Sequence, residues 1–120
     1  VDGSVNVDIR EEFKSRMEKN DDVIIVASYG TFSTGISIKN IHNIFFTESF
    51  KSEVIIRQSI GRGLRKHESK DIVKIYDFID DFRYKAEDHD WVNYVYRHGI
   101  ARRTIYKEEK FPFEVQNIRF

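Results

Sequence analysis

The chain has 120 residues, 40% hydrophobic and 14% aromatic, with 20 basic and 20 acidic side chains and no net charge. That apolar share excludes a disordered chain, and zero net charge excludes a global pull toward nucleic acid. With no cysteine, disulfides and thiolate metal sites are excluded, and no apolar run approaches the roughly 20 residues that span a bilayer.

In chain order, Val7 to Lys19 predicts a helix: Ile9, Phe13 and Met17 recur at helical spacing, Asp8 is placed to cap it, and Glu11 stands at the capping-box position. Asn20-Asp21-Asp22 ends it. Val23-Ile24-Ile25-Val26-Ala27 is a continuous, largely β-branched run and predicts a strand buried on both faces, as in parallel sheets. A loop or short helix follows, ending at Thr34-Gly35. Asn43 to Thr47 predicts the next strand, Glu53 to Arg65 a helix, Asp71 to Ile79 a strand and His89 to Lys110 a helix that Gly99 could bend or split. Phe113 to Phe120, just after Pro112, is a possible last strand. Strands alternating with helices predict βαβ units and a parallel sheet, in which ligands gather beyond the carboxyl ends of the strands.

The charges are blocked. Residues 51–70 carry six Lys or Arg against two Glu, and residues 71–90 carry seven acids against three bases. Any phosphate-binding surface is therefore local. Its densest point is Gln58-Ser59-Ile60-Gly61-Arg62-Gly63-Leu64-Arg65. Residues i and i+3 share a helix face, so Arg62 and Arg65 can aim their guanidinium forks at one phosphate. A solvated basic face is the bland alternative. Arg97, Arg102, Arg103, Lys107 and Lys110 line the last helix, as a nucleic-acid backbone contact or as a solvated face. Trp91, Tyr94, Tyr96 and Tyr106 could stack on bases, although such spacing more often marks core. His42, His67, His89 and His98 lack ligand spacing, and Asp80-Asp81 fits a turn at a strand end, so no metal site is expected. There is no phosphate-cradling G-x-x-x-x-G-K-[ST] loop and no nucleophile elbow, so these residues alone lack the parts to bind and hydrolyse a nucleotide.

The order Gly3, Arg10, Phe13, then Val23 to Ser28, then Thr34-Gly35-Ile36, then Gln58-x-x-Gly61-Arg62-x-x-Arg65 resembles the second motor domain of superfamily 2 helicases. Thr34-Gly35-Ile36 is similar to their motif five, and the Gln58 to Arg65 helix to their motif six. Within that family the likeness is to the phage UvsW-type branched-DNA helicases. It runs from about Gly3 to Phe111 and takes in Phe32 to Ser37, Lys39-Asn40, Leu64 to His67, Ile79-Asp80-Asp81, Asn93-Tyr94 and His98-Gly99-Ile100.

The resemblance implies an α/β fold: a partial RecA-like, P-loop-NTPase-type parallel sheet flanked by helices over residues 1–85, with a C-terminal helix and strand extension over 86–120. It implies ATP and Mg2+ held mainly by a first lobe outside these residues. Arg65 would be the arginine finger, Arg62 a second γ-phosphate contact, and Gln58 would orient the site. Gly35, Ser37 and Gly61 would lie at the nucleotide. Ser33, Thr34 and Gly35 would lie at the nucleic-acid backbone, with Arg102 and Arg103 adding contacts. Many relatives carry Asp where this chain has Ser37, which leaves the ribose contact open. The implied partners are DNA (branched or duplex, or single-stranded) and the first RecA-like lobe, in the cytoplasm of a bacterial or phage-infected cell, with no membrane. A stand-alone nucleic-acid-binding module without ATPase activity is the alternative, and a domain whose arginines bind a phosphorylated or acidic partner is a third reading. A central strand lacking its neighbour would expose an edge and promote self-association.

Overall fold

The computed structural model describes residues 4–34, 37–87 and 89–119, and only the backbone of Ser33 and Thr34. It is a mixed α/β structure whose Cα positions divide into two compact units: Val1–Thr47 with Val54–Asp77, and Glu48–Glu53 with Phe78–Phe120.

The first unit opens with α1, Val7–Lys19. Its cap is Asn6, not Asp8. The Asn6 Oδ1 accepts the Asp8 N–H at 2.9 Å, and Asp8 sits in the first turn, where a carboxylate complements the helix dipole. Asn side chains cap as well as Asp, so a cap two residues earlier satisfies the orphan donors equally well. Glu12–Arg16 and Glu11–Lys14 pairs line the exposed face, each worth a few tenths of a kcal/mol. Asn20 closes the helix, donating from both its backbone and its side chain to the Arg16 carbonyl.

Helix α2 is short, Tyr29–Thr34, with the Ser28 Oγ accepting the Thr31 N–H. Strand β1 (Asn43–Phe46) leads through α3 (Glu53–Gly63) to β2 (Lys74–Asp77). The two strands pair in parallel, with Ile44 opposite Ile75 and Phe45 opposite Tyr76. Alternation along β1 turns Ile44 and Phe46 inward, where they are buried with Ile38, Ile41, Ile56, Ile60 and Met17. Each fully buried side chain of this kind contributes about 1.5–3 kcal/mol. Phe45 points outward and stacks on Tyr76, ring centroids 4.6 Å apart. Gly63 lets the end of α3 approach β1: a Cβ there would lie 2.7 Å from the Ile44 Cδ1.

The expected strand at Val23–Ala27 does not form. These residues pair with no strand among the described residues, and Ile24 and Val26 are 91% and 79% exposed. A strand exists only with a partner, and β1 pairs with β2 alone. Residues 113–119 are likewise not a strand.

In the second unit the expected helix from His89 begins only at Tyr94. Asp90–Trp91 (β4) instead pairs antiparallel with Tyr84–Lys85 (β3), stacking Tyr84 on Trp91. Aromatic cross-strand pairs stabilise such short ladders. Helix α4 spans Tyr94–Glu108 and closes through Lys110 in the left-handed region (φ 57°), with Phe111 N bonded to the Tyr106 carbonyl. Pro112 follows, where helix continuation is not required. The side chain of Asn93, the residue before α4, donates to the Asp80 carbonyl and accepts the Phe82 N–H, so it pins the 80–82 turn. In that turn Asp81 takes two bonds from the Arg83 side chain, at 2.8 and 2.7 Å, which hold its carboxyl below the usual range.

Gly99 neither bends nor splits α4. It is buried against Ile79, and a Cβ would meet three Ile79 carbons at 2.5–2.6 Å. Two of them lie next to the branch point and cannot swing away. Gly99→Ala is therefore expected to destabilise the chain by about 1–3 kcal/mol through overpacking, partly offset by about 1 kcal/mol of helix propensity. A lower urea midpoint at unchanged slope is the expected reading.

Candidate nucleotide site

Helix α3 carries Glu53 in its first turn and Arg62 in its last, both complementing the helix dipole. Gln58 and Arg62 stand four residues apart, one turn along the same face, and Gln58 is exposed. The helix stops at Gly63, and a tightened turn continues the chain, with Leu64 N bonded to Ile60 O and Arg65 N to Arg62 O. Arg62 is therefore helical while Arg65 lies just past the helix end.

The Arg65 Nη1 donates to the hydroxyl of Ser37, a residue 28 positions away. Arg62 and Arg65 are both half-buried. Burial, and then the like charge of Arg65, hold the Arg62 guanidinium below its ordinary range. Two neighbouring guanidiniums of like charge suit an anion, which relieves their repulsion. Ser37 adds a neutral hydroxyl where a carboxylate would neutralise Arg65.

Gly61 is exposed and helical, and a Cβ there would meet nothing within 4 Å. A glycine in a helix interior costs about 1 kcal/mol relative to alanine, and nothing among the described residues requires it.

Of the residues expected at a nucleic-acid backbone, Ser33 and Thr34 end α2, and Gly35 lies outside the described residues. Arg102 is 0% exposed; its Nη1 donates to the Phe50 carbonyl at 2.7 Å and its guanidinium lies over the Phe50 ring. So placed, its guanidinium offers a polyanion no surface. Arg103 is half-buried. Trp91 and Tyr94 are exposed, Tyr96 lies under Arg83 and Tyr106 is buried.

Sequence reasoning missed the side chains that hold Ser37's segment in place. Lys70 donates from Nζ to three carbonyls: Lys39 at 2.6 Å, Ile41 at 2.9 Å and Gly63 at 2.7 Å. All three ammonium protons are used. The Glu18 carboxylate accepts the N–H groups of Lys39 and Asn40 at 2.6 and 3.3 Å. Buried Asn40 donates to the Met17 carbonyl and the Asp21 carboxylate, and accepts from Ser69. A signal for Asn40 exists: it stands between two core positions, Ile38 and Ile41, where an amide needs partners. Lys70 has none, because backbone carbonyls leave no mark in a sequence.

Among the described residues no group of three His, Asp or Glu side chains could hold a metal ion, and no helix is long and apolar enough to cross a membrane.

The relatives that the chain matches are helicases by name, and the chain is similar to part of each. It is 40% identical over 124 aligned residues to "ATP-dependent DNA helicase uvsW" of Enterobacteria phage T4, across 98% of this chain and 25% of that protein. It is also 41% identical over 61 residues to "Putative ATP-dependent helicase IRC3" of Saccharomyces cerevisiae, across 51% of this chain and 9% of that protein. The chain thus spans a quarter or less of the length of these relatives. No family model matches the chain. No solved structure matches it.

Proposed function

We propose that these residues are the second RecA-like lobe of a superfamily 2 ATP-dependent DNA helicase or translocase, with a C-terminal extension from residue 86. Arg62 and Arg65 then reach the γ-phosphate of an ATP whose phosphate loop and Mg2+ belong to a first lobe outside these residues. The observation that carries this reading is the placing of two half-buried arginines, Arg62 and Arg65, at the end of α3, with Arg65 against the Ser37 hydroxyl. The arginines stabilise charge on the transferring phosphoryl group, and Gln58 orients the site. Ser33, Thr34 and Gly35 contact the DNA backbone, with Arg103 adding a contact, while Arg102 braces its own unit. The preferred DNA is branched or duplex, on the likeness to the phage relative. In the Val23–Ala27 run, the exposure of Ile24 and Val26 supports self-association through that segment.

The open Gly61 gives one test. Gly61→Ala is expected to stabilise α3 by up to about 1 kcal/mol, because the new methyl meets nothing within 4 Å among the described residues. In the complete helicase the same methyl is expected to cut DNA-stimulated ATP turnover at least about tenfold, because the glycine admits the nucleotide. A gain in stability with full turnover would show that nothing approaches this face of α3.

A further inference from the structure

We infer that Lys70 is a positioning residue for the proposed ATP site, clipping the 39–41 backbone to the end of α3 so that Ser37 and Arg65 are set at a fixed distance. The inference rests on the reading of Arg62 and Arg65 given above. Three bonds from one ammonium converge on two separate segments: the carbonyls of Lys39 and Ile41 lie just after Ser37, and that of Gly63 lies between Arg62 and Arg65. The Gly63 carbonyl belongs to the last turn of α3, where acceptors are left over by the helix ladder. Lys70 fills that vacancy and, with the same charge, two more on the loop.

Glu18 grips the other side of the same loop through the N–H groups of Lys39 and Asn40. The carbonyls of residues 39 and 41 and the N–H groups of residues 39 and 40 are thus held from opposite directions by opposite charges. Ser69, next to Lys70, adds a bond to the Asn40 side chain. The Ser37–Arg65 bond is therefore the end of a braced arch rather than a chance meeting of two surface groups. A shift of about 1 Å in a reacting group can cost a hundredfold in rate, so a brace of this kind acts on turnover more than on binding.

The test is a double-mutant cycle on DNA-stimulated ATP hydrolysis by the complete helicase. Lys70→Met keeps the stem and removes the three donors. It is expected to lower kcat by about tenfold to a hundredfold with KM for ATP changed less than about threefold. In an Arg65→Ala background the same substitution is expected to have almost no further effect, because Lys70 acts through Arg65. An equal loss in both backgrounds, a loss confined to KM, or no loss at all would each overturn the inference. Where Lys70→Met does not fold, Lys70→Arg serves in the same cycle: it keeps the charge, but a planar fork cannot meet all three carbonyls. If Arg65→Ala alone leaves turnover intact, it is the ATP-site reading that fails, and the cycle separates that outcome from a failure of the Lys70 inference.

Discussion

Arg65→Ala in the complete helicase is expected to slow DNA-stimulated ATP hydrolysis by about 10³-fold or more, the range found for arginine fingers in other phosphoryl-transfer enzymes. The guanidinium is half-buried beside a second one, and its bond goes to a neutral hydroxyl, so its charge remains available to a phosphoryl group. Ground-state binding of ATP is expected to fall only a few fold, because the finger meets charge that develops in the transition state. The fold is expected to change little: one hydrogen bond to a serine is worth about 1 kcal/mol. Arg65→Lys is expected to recover only a small part of the rate, since a point charge does not reproduce the planar fork. Single-turnover hydrolysis alongside a nucleotide-binding titration checks all three statements.

Arg102→Ala is expected to destabilise the chain by about 3–5 kcal/mol, from the cavity left by a large buried side chain and the loss of a donor to the part-buried Phe50 carbonyl. Arg102 is the largest of the fully buried side chains among the described residues and holds the Phe50 carbonyl. Its neighbour gives the contrast. Arg103→Ala is expected to cost less than about 1 kcal/mol of stability, and in the complete helicase to weaken DNA binding and lower the salt slope by about one. Thermal unfolding and DNA titration at several salt concentrations should therefore show a crossed pattern, with one arginine holding the fold and the next holding the ligand. Equal stability losses from both would contradict it.

Much of the secondary structure was legible because it depends on local pattern. The stripe Ile9, Phe13 and Met17 marks α1 to its observed ends, and the short apolar run Ile44-Phe45-Phe46 marks β1. The Val23–Ala27 run shows where that approach stops. Its residues state a preference for pairing, but a sequence does not record whether the partner strand is present. The late start of α4 has a different cause: Trp91 finds Tyr84 across a two-residue ladder, a tertiary contact that overrides helix propensity. Gly99 reads as a helix break and is instead a packing contact with Ile79.

The candidate site divides in the same way. Arg62 and Arg65 are three apart and could be paired from the sequence alone. Ser37 meets Arg65 across 28 residues, so only the folded chain shows the contact. Lys70 is less legible still, since its three acceptors are carbonyls that any residue would supply.

The central claim is that Arg62 and Arg65 form the second half of an ATP site. Its most direct test compares the affinity of the complete helicase for ATP with its affinity for ADP–aluminium fluoride, a mimic of the transferring phosphoryl group, before and after Arg65→Ala. The mimic is expected to lose at least about a hundredfold more affinity than ATP does, because an arginine finger binds the transition state more tightly than the substrate. Equal losses for the two ligands, or none for either, would contradict it.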